Sequence, residues 1–313
     1  MENVNRTRVT EFILAAFSSF HQFQVLLFIV VLFAYVVCIM GNSATVTLIS
    51  SKSSLQTPMY FFISTFSALE IIFVTVTIPK LLANLIGVDR KISFNGCFAQ
   101  LFAFNALGVT ECYLLAVMGF DRDLAINNPL HYTAITTKGF CIKLAICPWI
   151  AGFTIALVPT VFTANLEFCG PNMVNHFFCD LAPLQNLTCS DPFISNVATS
   201  CAAVFATVVP FITVIGCYVD IIIAISKIKS AGGKRKAFST CSSHLIVTSM
   251  FFGSAIVVYV NPKGSQYDKF LALVYTVFIP LLNPFIYTLR NKDVKSAFRN
   301  SKILKGQWGL FHD

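Results

Sequence analysis

Apolar residues fall into seven long runs separated by short polar connections, at about 25–49, 58–85, 96–126, 140–162, 194–225, 237–259 and 269–289. Each is long enough to cross the roughly 30 Å hydrocarbon core of a bilayer as a helix. The pattern predicts an all-α membrane protein, a seven-helix bundle over residues 25–290, with a head of 1–24 and a tail of 291–313. In the tail, Val294, Ala297 and Phe298 share one face among Lys292, Lys295 and Arg299, which suits a short amphipathic helix on the membrane surface. Pro58 fits the first turn of the second run. Pro280 and Pro284 around Asn283 predict a kinked seventh helix whose freed carbonyls need partners. The head lacks the basic start and apolar core of a cleavable leader, so the first run is expected to be its own insertion signal.

Composition supports this picture. The chain is 56% hydrophobic and only 12% charged over 313 residues, with mean hydropathy +0.74, which is too little charge for a soluble domain. The net charge of +8 does not point to nucleic acid, because the basic residues sit in short connections. One side collects Lys52, Arg122, Lys138, Lys143, Lys227, Lys229, Lys234, Arg235 and Lys236, plus the basic tail. The other holds Arg6, Arg8, Lys80, Arg90, Lys91, Lys263 and Lys269. The excess of positive charge on the cytoplasmic side puts the tail inside and the head outside a plasma membrane. Cys97, Cys169, Cys179 and Cys189 then share the outer side and read as two disulfides, with three pairings open. The glycosylation acceptors Asn5-Arg6-Thr7 and Asn186-Leu187-Thr188 fall on the same side.

Polar residues inside the runs are the candidates for function. Glu70 and Glu111 lie mid-span, where a carboxylate is costly and marks a site by default. With Asn42 and Asn283 near the same depth, they are expected to form a polar core able to hold a sodium ion. Asp121 and Arg122 stand side by side where the third run meets water. Such a pair can close at rest and separate when the helix rearranges. No nucleophile–base constellation, phosphate loop or zinc spacing is present, so an enzyme is not expected.

Several motifs resemble those of rhodopsin-like G-protein-coupled receptors, and specifically tetrapod-type (class II) olfactory receptors. They are Pro58-Met-Tyr-Phe-Phe62, Thr110-Glu-Cys-Tyr-Leu-Leu-Ala-Val-Met118 with Asp121-Arg122, and Asn128-Pro-Leu-His-Tyr132. Lys236-Ala-Phe-Ser-Thr-Cys-Ser-Ser-His-Leu245 and Pro280-Leu-Leu-Asn-Pro-Phe-Ile-Tyr287 complete the set, and the resemblance covers nearly the whole chain. It implies an odorant receptor that activates a stimulatory G protein and raises cyclic AMP. It also implies the pairings Cys97–Cys179 and Cys169–Cys189. The ligand pocket it implies comprises Phe104, Asn105, Gly108, Val109 and Cys112, then Ala202, Ala203 and Ala206, then Phe252, Ala255, Ile256 and Tyr259. These side chains suit a small, mostly apolar volatile ligand oriented by Asn105 or Tyr259. No charged residue is expected in that region, which disfavours amines and carboxylates. The implied coupling switch comprises Asp121, Arg122, Asp123, Tyr218, His244, Asn283, Pro284 and Tyr287.

The chain departs from the family pattern at Gly119 and Phe120 (usually Ala-Tyr), Asp123 (usually Tyr), Asn127 (usually Cys) and Phe252 (usually Tyr). Asp123 offers Arg122 a second acceptor and adds negative charge at the coupling surface, so weak or absent coupling is an alternative expectation. A transporter or channel is a further alternative, but the runs show no inverted repeat and no polar stripe beyond Glu70 and Glu111.

Overall fold

The computed structural model describes residues 9–17, 22–169, 172–260 and 268–290, without the side chains of 236, 258–260, 268 and 288–290. Among these residues, seven helices are long and apolar enough to cross a membrane. The first four are Gln24–Ser51, Pro58–Leu85, Phe94–Asn127 and Lys138–Ala164. The fifth span runs from Phe193 to Lys227 and the sixth helix from Ala231 to Val260. The seventh span is built from Asp268–Leu273, Val274–Phe278 and Ile279–Arg290. The head acceptor Asn5 and the proposed tail helix lie outside the described residues.

Capping side chains move several boundaries from those the apolar runs suggest. Ser93 Oγ accepts from the Gly96 amide at 3.1 Å, so the third helix starts at Phe94. Thr137 Oγ1 accepts from the Phe140 amide, which starts the fourth at Lys138. The sixth helix starts at Ala231 rather than 237, because Ser230 Oγ accepts from the Gly233 amide at 3.1 Å. Part of the expected basic loop is therefore helix.

The third span is the hub and packs on the second, fourth, fifth and sixth. Its approach to the fourth is set by Gly152, where an added Cβ would stand 2.2 Å from Thr110 Oγ1 and 2.4 Å from the Ala106 carbonyl. The fifth and seventh spans each contain one π-helical turn, Val204–Val208 and Val274–Phe278.

The end that bears both disulfides, called the outer end, is roofed by a three-stranded sheet in the order β2-β1-β3. Strand β1 (Glu11–Leu14) lies between β2 (Lys91–Ser93) and β3 (Met173–Val174). Phe12 and Leu14 alternate inward and are fully buried, with Cys97, Leu101, Val174 and Cys179 around them. The head is therefore part of the roof. Asn84 donates to the Leu14 carbonyl at 2.8 Å, and Lys269 Nζ to the Ala16 carbonyl at 2.8 Å.

Candidate functional site

A cavity of about 240 Å³ lies under the roof. The third span supplies Phe104, Asn105, Gly108, Val109, Glu111 and Cys112 to its wall, and the fourth Ile155, Ala156 and Pro159. Thr199, Ala202, Ala203, Ala206 and Thr207 come from the fifth, and Phe251, Ser254 and Ala255 from the sixth. Phe73, Leu181 and Tyr275 complete it. Helical periodicity explains the fifth-span face, since Thr199 lies one turn before Ala202 and Ala203, and Ala206 and Thr207 one turn after them. The expected sixth-span face is off by one residue. Phe251 rather than Phe252 lines the wall, while Phe252 is buried against Phe211 with centroids 5.2 Å apart. Ile256 is 49% exposed and lies off the wall. The Tyr259 side chain lies outside the described residues.

The roof and the wall share rings. Phe104 stacks on Phe73 at 5.1 Å and meets Phe178 of the outer loop at 4.4 Å. That loop is anchored by a disulfide from Cys97 to Cys179, with Cα atoms 5.5 Å apart, and is closed within itself by one from Cys169 to Cys189. These are the pairings the resemblance implied. Asn186 is exposed in the same loop, with Thr188 Oγ1 donating to the Gln185 carbonyl. His176 is buried between Phe177 and Phe178, at 4.8 and 4.4 Å. Burial, with the nearby Lys269 charge, pushes its imidazole down from 6.5 to about 3.

Glu111 corrects one expectation, because an acid does line the cavity, near its inner end. Beneath it lies the polar core. Glu70 is 1% exposed and accepts from Asn283 Nδ2. The Glu111 carboxyl feels the field of Glu70. Asn42 donates to the Cys38 carbonyl at 3.1 Å. One oxygen on each of Asn42, Glu70, Glu111 and Asn283 is buried with no hydrogen-bond partner among the described residues. Two are amide oxygens and two are carboxyl oxygens, the oxygen types that ligate a hard cation.

At the inner end, Arg122 pairs with Asp121 and donates to Met59 Sδ at 2.8 Å. Asp121 also accepts from the Tyr132 hydroxyl at 2.8 Å. Burial pushes that phenol upward, and the Asp121 charge adds to the shift. Among the described residues Asp123 forms no ion pair with Arg122. Its Oδ1 accepts from Asn127 Nδ2 at 2.6 Å, so two departures from the family pattern bond to each other. Tyr218 and His244 form a second cluster, with the hydroxyl 2.8 Å from Nδ1 and Nε2 3.0 Å from the Leu115 carbonyl. Tyr287 is buried, with no hydrogen-bond partner for its hydroxyl among the described residues, and Pro284 packs where an added Cβ on Gly41 would be 3.0 Å away.

A family model described as olfactory receptor matches residues 31–305. Olfactory receptor 11L1 of Homo sapiens is 41% identical, over 99% of this chain and 97% of its own. Olfactory receptor 226 of Rattus norvegicus is 43% identical, over 96% and 94%. The crystal structure of squid rhodopsin superposes with a TM-score of 0.75 at 16% identity, covering 91% of this chain and 86% of that one, which shows the seven-helix fold. The chain belongs to the olfactory receptor family, a family of multi-pass signalling receptors rather than enzymes.

Proposed function

We propose that the protein is an odorant receptor of the plasma membrane, with its head outside and its tail in the cytoplasm. A small, mostly apolar volatile fills the cavity and shifts the bundle toward a form open at the inner end. That form activates a heterotrimeric stimulatory G protein and raises cyclic AMP. The observation that carries this is the cavity itself, about 240 Å³ of mostly apolar wall. It is smaller than the roughly 300–1,000 Å³ of drug-sized sites. Ala203→Phe should fill it. In cells expressing the full chain, a chemically diverse panel of neutral volatiles should raise cyclic AMP, and Ala203→Phe should abolish the response at equal surface labelling. An undiminished response in Ala203→Phe would remove the cavity from the proposal.

The four unpartnered oxygens support a sodium ion in the polar core, held by Glu70 and Glu111 with Asn42 and Asn283 beside them. The ion would supply positive charge that favours the closed bundle. Replacing sodium by choline should then raise basal signalling; an identical baseline in both salts argues against the ion. Asp123 supports a second reading, weak coupling through added negative charge at the inner surface, though its bond to Asn127 rather than Arg122 limits that effect. Asn186, and Asn5 in the head, are proposed glycan acceptors.

A further inference from the structure

A hydroxyl has one hydrogen to give and two lone pairs with which to receive. Thr199, on the fifth-span wall of the cavity, gives its hydrogen to the Ser195 carbonyl at 2.8 Å, one turn back along the helix. Its oxygen also receives the side-chain amide of Gln185, with Nε2 at 3.1 Å. Gln185 ends the short outer-loop helix Leu181–Gln185 and is 8% exposed. The same Nε2 donates to Ser195 Oγ at 2.8 Å and to Thr163 Oγ1 at 3.3 Å, and those two hydroxyls lie 2.8 Å from each other. The amide thus ties the fourth span, the outer loop and the fifth span, and several partners fix its place. With the amide turned over, Thr199 would give its hydrogen to the Gln185 oxygen instead. In either orientation the hydrogen stays inside the protein, and a lone pair of Thr199 is what remains for the cavity. Ser254 on the sixth-span wall is alike, since its hydroxyl donates to the Phe251 carbonyl at 2.7 Å. Asn105 spends one amide hydrogen on the Leu101 carbonyl at 2.9 Å and keeps the other.

We propose that the ligand class of this receptor is small apolar alcohols, with the ligand hydroxyl donating to Thr199 Oγ1, and that Gln185 is the positioning residue that keeps Thr199 an acceptor. The proposal rests on the ligand-binding reading of the cavity and adds the polar group of the ligand and the direction of its bond. An alcohol brings a hydrogen to the waiting lone pair. A ketone on the same skeleton brings only a second acceptor, so two oxygens face each other and neither is satisfied. The spare hydrogen of Asn105 leaves ketones as weaker ligands rather than excluding them. The Gln185 cluster also braces the loop against two spans, so its positioning role is read from ligand preference and not from stability.

The test uses purified full-length receptor in lipid nanodiscs, so that the readout does not depend on coupling. The probes are alcohol–ketone pairs on shared skeletons: cyclohexanol and cyclohexanone, 2-octanol and 2-octanone, menthol and menthone. Thermal-shift titration should give the alcohol of each pair that binds a midpoint about tenfold below its ketone. Thr199→Val, which keeps the shape and removes the oxygen, should close that gap to less than about threefold, and Thr199→Ser should restore it. Gln185→Leu should narrow the gap about threefold by improving the ketone, because the Thr199 hydrogen can then turn toward the cavity. If Thr199→Val does not yield folded protein, the gap in the wild type and its narrowing in Gln185→Leu decide. A gap that survives Thr199→Val overturns the assignment to Thr199, and one unchanged in Gln185→Leu, whatever that variant's melting point, overturns the role of Gln185. Equal midpoints within every pair overturn the alcohol inference and leave the ligand-binding reading standing. Silence toward all six probes also overturns it, and the ligand-binding reading is then judged by the neutral-volatile panel and Ala203→Phe.

Discussion

At the outer end, two disulfides, a three-stranded sheet and a cluster of rings join segments far apart in the chain. At the inner end, the described contacts are an ion pair and hydrogen bonds: Arg122 on Asp121, Tyr132 on Asp121, and Tyr218 on His244. Covalent bonds and a sheet cannot exchange partners without unfolding, whereas an arginine can trade one acceptor for another. The outer half is therefore a fixed frame for the cavity, and the inner half is the part proposed to switch. Between them lies the polar core, where one oxygen on each of four side chains has no hydrogen-bond partner among the described residues.

The comparison breaks most visibly at the disulfide that ties the third span to the roof. Cys97→Ser should cost about 2–5 kcal/mol, by analogy with other native disulfides, and deplete the receptor from the cell surface. Surface labelling checks this; wild-type levels would mean that the sheet alone holds the roof. The polar core should respond next. Glu70→Gln and Glu111→Gln should each change basal cyclic AMP, with a non-additive remainder of about 0.5–3 kcal/mol in the double variant. Additive effects would show two independent acids.

The roof should also weaken in acid. His176 is held neutral, with its folded value depressed to about 3 from 6.5. Its contribution is therefore intact above 6.5 and is lost as pH falls below that value, because only the unfolded chain takes up the proton there. Each pH unit costs at most about 1.4 kcal/mol, so detergent melting points should drop between pH 6.5 and 5, and less steeply in His176→Asn. A pH-independent melting point would place the ring in water. The smallest effect belongs to the inner surface. Asp123→Tyr should raise ligand-evoked cyclic AMP by a factor corresponding to about 1 kcal/mol or less. Superimposable dose–response curves at equal surface labelling would make Asp123 silent.

The spans, the third-span cavity face and the Asp121–Arg122 pair were legible because each rests on local spacing. The roof was not, since β1 pairs with residues about 80 and 160 positions away and only Phe12 and Leu14 hint at alternation. The sixth-span face was misplaced by one residue, a rotation of about 100° that swaps Phe252 for Phe251. Nothing local distinguishes two adjacent phenylalanines. Glu111 was recognised as a core acid, but its place in the cavity wall depends on how deeply the space reaches between the third and fifth spans. Ser230 did carry a signal for the early start of the sixth helix, a capping residue ahead of a glycine pair.

The Asn127–Asp123 bond has a consequence for how this receptor diverged from its relatives. Either residue without the other would leave its polar group to water. Together the two residues satisfy one another across a single helical turn. The two substitutions are therefore coupled through that bond, by about 0.2–0.5 kcal/mol for such a pair one helical turn apart. Lineages that retain the acid at 123 should retain a donor at 127, and the effects of the two single reversions should not sum to that of the double one.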